Sequence, residues 1–214
     1  TLLEYEASYN TILYLTDLGF NTKDSMAIYN KFKKDTEKIV SKNIYEVYYQ
    51  VNDITFKAVD RIALDNDYSP KDKKRISAAI FFALNDKTNT TGYSYFYIDE
   101  IFKYIQSLLN MEVPEKKFID SLNSLILDLK VLKKDDKYYL TSTYNSEENV
   151  AKRIKYLTRI EDTKCKSLDK FIYQLEQFNG ITYDDTQKLA MKKAIEKSFL
   201  VVTGGPGSGK TTII

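Results

Sequence analysis

The sequence has no histidine and a single cysteine, Cys165, in 214 residues. One cysteine cannot form a disulfide within the chain, and the absence of histidine leaves no credible zinc site or histidine-based catalytic site. These two absences exclude the common zinc enzymes and the hydrolases that use a histidine base.

Long apolar runs and a strong charge imbalance are also absent. The longest apolar run lies around Ala78 to Leu84, well short of the roughly 20 residues that cross a bilayer. No signal sequence opens the chain, so we expect a reduced, cytoplasmic location. The formal net charge of +2 is too small to indicate a nucleic-acid partner. Basic clusters such as Lys31 to Lys34 and Lys71 to Arg75 are more often solvated helix faces than binding patches.

The chain does have enough apolar side chains for a core, and many aromatic ones. Hydrophobic residues make up 43 % of the sequence, so a chain of this length can hold one or two folded domains. The 18 tyrosines and 11 phenylalanines are compatible with base stacking. Tyrosine, lysine, isoleucine and asparagine all have A/T-rich codons, however, and genomic bias explains much of the excess. Composition alone leaves the partner open.

The most informative stretch is residues 199–214, FLVVTGGPGSGKTTII. It fits the pattern G-x-x-x-x-G-K-[ST], which is typical of a phosphate-binding loop. The fixed positions are Gly204, Gly209, Lys210 and Thr211. The β-branched and apolar run before the loop, Phe199 to Thr203, predicts a buried strand. We therefore expect the start of a P-loop α/β (RecA-like) domain here.

The residue types of this loop suit phosphate chemistry. Backbone N–H groups must wrap closely around a phosphate, and glycines keep the path free of Cβ atoms. Lys210 supplies a charge to the outer phosphates, Thr211 offers a hydroxyl to Mg²⁺, and a helix starting there turns its positive end toward the anion. We predict ATP and Mg²⁺ as cofactors, with Lys210 and Thr211 as catalytic residues and Thr211 as the metal contact. The further predicted nucleotide contacts are Gly205, Pro206, Gly207, Ser208, Gly209 and Thr212. The alternative is a glycine-rich turn that carries a lysine by chance.

A glutamine lies one predicted helix and one predicted strand before this loop. Thr182, Asp184 and Asp185 can each cap a helix that has Gln187 in its first turn. A primary amide both donates and accepts, so Gln187 can make two hydrogen bonds to an adenine edge. Its position ahead of the loop favours this role over the alternative, in which Gln187 completes a capping box with Asp184.

Residues 1–68 predict short helices joined by two similar tight connections. The first is Leu18-Gly19-Phe20-Asn21, with a cap at Asn21 to Asp24, and the second is Asn52-Asp53-Ile54-Thr55. Paired helix-hairpin-helix elements of this kind present backbone N–H groups to a phosphate and bind DNA without reading its sequence. The predicted DNA contacts are Gly19, Phe20, Asn21 and Lys57. Plain helical packing is the alternative, and the pattern leaves both open. The side chains expected to face inward here include Met26, Ala27, Phe32, Phe56, Val59, Ile62 and Ala63.

Residues 69–143 predict a winged-helix-like unit. A helix begins with Ser69 as cap and Pro70 at its first position, and a polar loop follows it at Asn85 to Gly92. An aromatic strand (Tyr93 to Tyr97), two helices and a hairpin around Asp135-Asp136 complete the order. Such units bind DNA in many proteins and serve as packing modules in others. The mixed charges on the third helix do not decide between these roles.

Residues 144–180 predict a helical bridge into the nucleotide-binding segment, residues 181–214. Asn145 to Glu161 is expected to be a charged helix, and Ser167 to Phe178 a second helix that is stopped by Gly180. The side chains expected to face inward are Val150, Ile154, Leu157, Leu168, Phe171, Ile172 and Leu175. The fold class predicted for the whole chain is therefore mainly α.

The order of these pieces resembles the N-terminal half of RecD-like superfamily 1 DNA helicases with a long N-terminal extension. The resemblance covers nearly all of the chain and is most specific at Gly204 to Thr212 and at Asp184 to Ala190. It implies an enzyme that hydrolyses ATP, moves 5′ to 3′ along single-stranded DNA and separates duplexes. It also implies that Lys210 and Thr211 hold the phosphates and Mg²⁺, and that Gln187 holds the adenine.

The chain departs from the family pattern in two ways. The second hairpin of the family usually has Gly-Ile-Gly where this chain has Asp53-Ile54-Thr55, and a carboxylate there would repel phosphate, which favours a structural role for that hairpin. The second Mg²⁺ ligand, the positioned water and the arginine finger of P-loop enzymes come from later segments. We therefore expect this chain to be an inactive piece of a longer helicase.

Two other functions stay open at this point. One is a DNA-binding or protein-interaction module with a non-functional P-loop remnant, and the other is a different P-loop DNA-dependent ATPase. A helicase is expected to supply a later strand with an Asp-Glu pair and further arginine motifs, which separates it from the other ATPases.

Overall fold

The computed structural model describes residues 2–163, 165 and 167–213, with side chains from residue 8 onward. The contacts within the chain define two compact units, the first ending at Tyr144 and the second beginning at Asn145. Each unit is described by itself. None of the described helices is long and apolar enough to cross a membrane.

The first unit is mainly helical and contains a small antiparallel sheet. Its first part consists of α1 (Leu2–Asp17), α2 (Thr22–Phe32), a 3₁₀ turn (Lys33–Asp35), α3 (Thr36–Lys42), α4 (Glu46–Gln50) and α5 (Phe56–Asp65). Its second part consists of α6 (Lys73–Thr91), β1 (Tyr95–Tyr97), α7 (Ile98–Leu109), α8 (Glu115–Leu127), β2 (Val131–Lys134) and β3 (Lys137–Leu140). Helix, strand, helix, helix and hairpin follow one another in the predicted order.

One hydrophobic cluster runs through both parts of the first unit. Phe56 and Val59 of α5 belong to the same cluster as Ile80 and Leu84 of α6 and Phe118 of α8. The predicted inward positions of α5 are confirmed, because Phe56, Val59, Ile62 and Ala63 are buried along one face of the helix. The cluster continues across residues 68 and 69, so the division into domains 1–68 and 69–143 stays a prediction.

The sheet has the strand order β1-β3-β2, with β3 antiparallel to both neighbours. Directly paired residues share a face of a sheet, so the register assigns each side chain to one side. The inner face carries the buried Phe96, Val131, Tyr138 and Leu140 and the exposed Lys133. The opposite face, the outer sheet face, carries Tyr95, Tyr97, Leu132, Lys134, Lys137 and Tyr139.

The second unit contains fewer buried side chains. Its elements are the larger part of α9 (Thr141–Leu157), α10 (Leu168–Asn179), α11 (Asp185–Glu196) and a 3₁₀ turn (Thr211–Ile213). The buried residues among those described in this unit are Leu168, Ile172, Glu176 and Tyr183. Gly180 ends α10 in a left-handed conformation with φ 64°, as predicted.

The predicted start of α6 is wrong. The helix begins at Lys73 and its cap is Asp72, whose carboxylate accepts a hydrogen bond from the Lys74 amide at 2.7 Å. The Arg75 guanidinium donates to the Pro70 carbonyl at 2.9 Å and so holds that carbonyl outside the helix. Ser69 and Pro70 therefore belong to a turn before α6.

The predicted loop at Asn85 to Gly92 is wrong as well. Helix α6 continues to Thr91 and ends at Gly92, which has φ 75°. The asparagine and threonine residues of this stretch favour helix only weakly, and contacts that sequence spacing does not reveal keep them in the helix. The Tyr104 hydroxyl donates to Asp86 at 2.5 Å, and the Lys87 ammonium lies 5.0 Å from the centre of the Phe96 ring.

Several side chains predicted to face inward are exposed. Met26, Val150 and Phe171 are 52 %, 58 % and 53 % exposed. Helix α9 begins at Thr141 and ends at Leu157, earlier than predicted at both ends, and none of its described residues is buried. Periodicity correctly placed these apolar residues on helices, but no described element covers them.

The predicted buried strand at Phe199 to Thr203 is not formed. The segment has no strand assignment, and Val201 is 67 % exposed. A parallel strand is stable when neighbouring strands satisfy its backbone and helices cover its faces. Among the described residues, no strand pairs with this segment. The 3₁₀ turn at Thr211–Ile213 stands where a longer helix was expected.

Candidate functional site

The first hairpin joins α1 to α2 through a closed turn. The Gly19 amide donates to the Thr16 carbonyl at 2.9 Å, and the Phe20 amide donates to the Leu15 carbonyl at 3.1 Å. Gly19 has φ 109°, a backbone conformation that strains residues with a Cβ atom. These bonds satisfy carbonyls at the end of α1 and fix the direction of the chain into α2.

The bonds of this turn change the predicted set of DNA contacts. The Phe20 side chain is 3 % exposed, so it is a core residue and not a surface for DNA. The amides of Gly19 and Phe20 already have acceptors within the chain. Asn21 caps α2, because its side chain accepts from the Asp24 amide at 2.9 Å. Because the Asp24 amide is already bonded to Asn21, the accessible donors are the amides of Thr22 and Lys23, which have no acceptor inside the helix.

The second hairpin joins α4 to α5 without glycine. Asp53 takes the left-handed position with φ 65°, which Asp tolerates better than most residues. Thr55 has φ −81° and caps α5 by accepting a hydrogen bond from the Ala58 amide at 3.2 Å. Thr55 therefore does not need the conformation that the family's second glycine suggests. Lys57 is exposed in the first turn of α5, beside this cap.

The two hairpins are joined directly. The Asn66 side chain, at the end of α5, donates to the Leu18 carbonyl of the first hairpin at 2.9 Å and to the Ile62 carbonyl at 2.8 Å. A Cβ built on Gly19 would lie 3.6 Å from the Ile62 side chain, so the first connection packs closely on α5. This contact fixes the spacing of the two hairpins.

A buried ion pair ties the second hairpin to α6. The Arg75 guanidinium donates to both oxygens of Asp60, at 2.7 and 2.9 Å, and the Tyr45 hydroxyl donates to the same carboxylate at 2.8 Å. The hydrogen bond to Asp60 raises the pKa of Arg75. Burial and then the Asp60 carboxylate raise the pKa of Tyr45. Arg75 stays charged and Tyr45 stays protonated, so the network holds across the neutral pH range.

The glycine-rich loop folds around its own lysine. The Lys210 ammonium donates to the carbonyls of Gly204 and Gly205, both at 2.7 Å, and to the Ser208 hydroxyl at 3.3 Å. Gly207 and Gly209 have φ 74° and 72°, conformations that glycine adopts without strain. The fixed lysine of the motif therefore reaches the interior of the loop. The remaining loop residues, Pro206, Thr211 and Thr212, are exposed.

Gln187 lies against this loop and also caps its own helix. Its side-chain oxygen accepts from the Asp184 amide at 3.0 Å, while the Asp184 carboxylate accepts from the Gln187 amide at 2.9 Å. This is the capping box that the sequence left open as an alternative. A Cβ on Gly209 would come within 2.3 Å of the Gln187 side-chain nitrogen. A pocket of about 260 Å³ is lined by Gln187, Gly204, Ser208 and Lys210 together with neighbouring residues.

Glu176 holds the turn that leads into this capping box. Its carboxylate accepts from the Tyr183 amide at 2.8 Å and pairs with the Lys188 ammonium at 2.9 Å. These two contacts, with Lys188 first, lower the pKa of Glu176. Glu176 of α10 is thus bonded to Tyr183, which precedes Asp184, the cap of α11, and to Lys188, which follows it. No sequence pattern identifies Glu176, since an isolated glutamate on a charged helix carries no local signal.

The structure also defines the possibilities for a metal. No group of three or more His, Cys, Asp or Glu residues that could hold a metal ion occurs within the part of the chain that the structure describes. The predicted metal contact, Thr211, is exposed next to Lys210. A hydroxyl at this position can complete the shell of an Mg²⁺ that arrives with a nucleotide, but it cannot hold the ion alone.

The geometry of the paired hairpins agrees with an independent comparison. Residues 4–95 match the model of the HHH domain of the ATP-dependent RecD2 DNA helicase. The matched segment includes both hairpins, the Tyr45, Asp60 and Arg75 network and all of α6. The first unit therefore contains a helix-hairpin-helix (HHH) domain, and this indicates DNA binding.

Comparison with curated proteins gives short matches. The chain is 32 % identical over 78 residues to the RecBCD enzyme subunit RecD of Haemophilus influenzae, which is 36 % of this chain and 12 % of that protein. It is 30 % identical over 122 residues to the maintenance of telomere capping protein 6 of Candida albicans, which is 55 % of this chain and 20 % of that protein. The chain therefore spans a fifth or less of these relatives. The HHH model and the RecD match support the resemblance to the N-terminal region of RecD-like helicases.

Proposed function

We propose that this chain is the N-terminal region of an ATP-dependent DNA helicase, in which a DNA-binding first unit precedes an ATP site that starts in the second unit. The observation that carries the proposal is the match of residues 4–95 to the HHH domain of the RecD2 helicase. By the same likeness, the intact protein moves 5′ to 3′ along single-stranded DNA and separates duplexes.

The hairpins supply a DNA contact that does not depend on sequence. The first amides of α2, next to Asn21, and the exposed Lys57 of α5 are the groups available to phosphate oxygens. The Asn66 and Leu18 contact keeps these two positions at a fixed spacing. The carboxylate of Asp53 opposes phosphate at the second turn, so the first hairpin makes the closer approach. We also propose that residues 69–143 form a winged-helix-like support for the hairpins.

The residues of the glycine-rich loop fit a nucleotide. Gly209 has φ 72°, which favours glycine, and a Cβ there or at Gly204 would displace the Gln187 amide or the Ser208 hydroxyl. Lys210 would hold the outer phosphates, Thr211 would contact the metal, and the backbone amides from Gly207 to Thr212 would surround the anion. Mg²⁺ would neutralise charge on the phosphate oxygens. Gln187 would read the adenine with its side-chain amide.

The test of this proposal uses the intact helicase and its Lys210→Ala variant. The variant is expected to lose ATPase and unwinding activity, because the phosphates lose their charge partner, while DNA binding persists. Steady-state ATP hydrolysis and strand separation measure the loss, and fluorescence anisotropy of labelled DNA measures what is retained. Unwinding that survives the substitution would show that the motor assignment is wrong.

One structural feature favours a second candidate, a DNA-binding or interaction module with a non-functional P-loop. Residues 199–203 lack a pairing strand among the described residues, and Lys210 is bonded to loop carbonyls. Titration of this chain with a fluorescent ATP analogue and with single-stranded DNA separates the two functions. DNA affinity without nucleotide binding, repeated in a longer protein that contains later segments, supports the module.

A further inference from the structure

The outer sheet face of the first unit is a row of tyrosine rings. The centres of Tyr97 and Tyr95 lie 5.9 Å apart, those of Tyr95 and Tyr139 lie 5.6 Å apart, and those of Tyr139 and Tyr144 lie 5.2 Å apart. Tyr144 comes from the first turn of α9 and extends the row beyond the strands. Tyr97, Tyr139 and Tyr144 lie outside the segment that matches the HHH domain, and Tyr95 is the last residue of that segment.

The row is anchored in its middle and open at one end. Tyr139 is 9 % exposed because rings lie on both sides of it, whereas Tyr97 is 42 % exposed. Tyr93, just before β1, is 68 % exposed. Exposed aromatic rings on an otherwise well-packed unit provide flat surfaces for stacking. Rings held by buried neighbours lose little freedom when a partner stacks on them.

Two lysines lie beside this row. The Lys137 ammonium is 4.3 Å from the centre of the Tyr95 ring, and the Lys134 ammonium is 5.5 Å from the centre of the Tyr144 ring and donates to its hydroxyl at 3.2 Å. The Tyr95 phenol raises the pKa of Lys137, and the bond to Tyr144 raises the pKa of Lys134. Both cations therefore persist at neutral pH, at fixed positions along the rings.

We propose that the outer sheet face binds single-stranded DNA, with unpaired bases stacked on Tyr93 and Tyr97 and backbone phosphates paired with Lys134 and Lys137. Every base has a flat face, so aromatic stacking combined with lysine charges is a sequence-tolerant way to hold an unpaired strand. The site is separate from the hairpins and does not depend on the ATP site.

Charge and composition favour this occupant over two others. Asp135 and Asp136 form the tip of the hairpin between β2 and β3, and their carboxylates oppose the denser phosphate charge of a duplex more strongly than that of a single strand. The face carries one aliphatic side chain, Leu132, among the residues of its strands, whereas protein-binding patches are centred on apolar contacts. The nearby Glu100 carboxylate accepts from the Tyr97 amide at 2.9 Å and so belongs to the cap of α7.

The stacking test measures the anisotropy of a short fluorescein-labelled oligothymidine mixed with the complete chain. The Tyr93→Ala/Tyr97→Ala double variant is expected to bind about fivefold or more weakly, the loss associated with one missing base stack. Tyr97→Phe keeps the ring and is expected to bind like the parent. Tyr9→Ala is the matched control, since Tyr9 is 54 % exposed on α1, which packs against α2 and α3.

The charge test uses the Lys134→Gln/Lys137→Gln variant and a series of salt concentrations. Each lysine that neutralises a phosphate of a single strand contributes about 0.7 to the slope of log affinity against log salt. The slope is expected to become shallower by about 1.4 if both lysines contact phosphates. A second strand that carries 2-aminopurine reports stacking directly, because stacking on a ring quenches its fluorescence.

The outcomes distinguish this site from the proposed helicase function. Four results would overturn the outer-face site. They are unchanged DNA binding by the Tyr93→Ala/Tyr97→Ala variant, an equal loss of DNA affinity in Tyr9→Ala, tighter binding of an RNA of the same length, and a loss of DNA binding that occurs only in Lys57→Gln. The helicase proposal survives all four results. Conversely, a tyrosine-dependent strand affinity in a protein that never binds ATP supports this site while the helicase proposal fails.

Discussion

Arg75 is 5 % exposed, and each part of its guanidinium has an acceptor. Two donors bond to Asp60 of α5 and one to the Pro70 carbonyl before α6. Bidentate pairs of this kind are geometrically specific, and removal of one partner leaves a buried charge without compensation. Arg75 therefore fixes the orientation of the second hairpin relative to α6, although no sequence motif identifies it.

Replacement of Arg75 by methionine is expected to destabilise the first unit by about 3–5 kcal/mol, because the Asp60 carboxylate loses its counter-ion in a nearly dry site. Urea unfolding followed by circular dichroism measures the change. The Asp60→Leu/Arg75→Met double variant is expected to recover most of it. Lys152→Met is the control, since Lys152 and Glu148 form an exposed pair with 67 % and 48 % side-chain exposure. Equal stability of Arg75→Met and the parent would show that the pair is unimportant.

Gln187 combines two roles that a pair of substitutions can separate. Gln187→Glu keeps a capping box with Asp184 but removes the amide donor, whereas Gln187→Ala removes both. We expect hydrogen exchange in the first turn of α11 to stay slow in Gln187→Glu and to accelerate in Gln187→Ala. In the intact protein both variants are expected to lose preference for adenine over guanine nucleotides. Preserved adenine preference in Gln187→Glu would leave capping as its sole role.

At the scale of elements, local signals predicted best where one turn decides the outcome. The Asn21 cap, the Asp135-Asp136 hairpin and the Gly180 stop each depend on residues within one turn, and the structure contains all three. The start of α6 was mispredicted because Arg75 holds the Pro70 carbonyl from a distance. In the glycine-rich loop site, too, local contacts could be predicted from the sequence and distant ones could not. The capping box of Gln187 was visible in the sequence, but the support from Glu176 was not.

The turn between α10 and α11 depends on Glu176. Glu176→Ala is expected to speed hydrogen exchange over residues 181–188, because the Tyr183 amide and the Lys188 ammonium both lose their acceptor. Glu176→Gln can still accept from Tyr183 and is expected to show a smaller effect. The folded state lowers the pKa of Glu176, so its stabilisation is present above the usual value of 4.5 and is lost as the pH falls below it. Identical exchange in both variants and the parent, at neutral pH, would remove Glu176 from this role.

At the scale of the whole molecule, the two units differ in how much they bury. The first has an extended hydrophobic cluster, while the described buried residues of the second are few and its apolar Val201 is largely exposed. Burial of apolar surface is the main favourable term in folding, so the units differ in stability. Residues 199–203 are exposed and form no strand, although the sequence pattern predicts one. A strand requires neighbours that the local sequence does not provide.

Differential scanning calorimetry of the chain is expected to show two transitions, with the second unit unfolding first. Leu84→Ala is expected to shift the higher transition and Ile172→Ala the lower one, each by a loss of about 2–5 kcal/mol. Each variant serves as the control for the other. A single transition that moves with both substitutions would show that the units unfold together.

Helix α6 packs against α5 on one side and against β1 and β3 of the sheet. A DNA strand that engaged both the hairpins and the tyrosine row would be held at two places within the first unit, so its second attachment would be intramolecular and governed by effective concentration. Affinity then rises steeply once an oligonucleotide is long enough to bridge the two places, without any change in protein conformation. Helix α6 would then set the shortest DNA strand that can occupy both places.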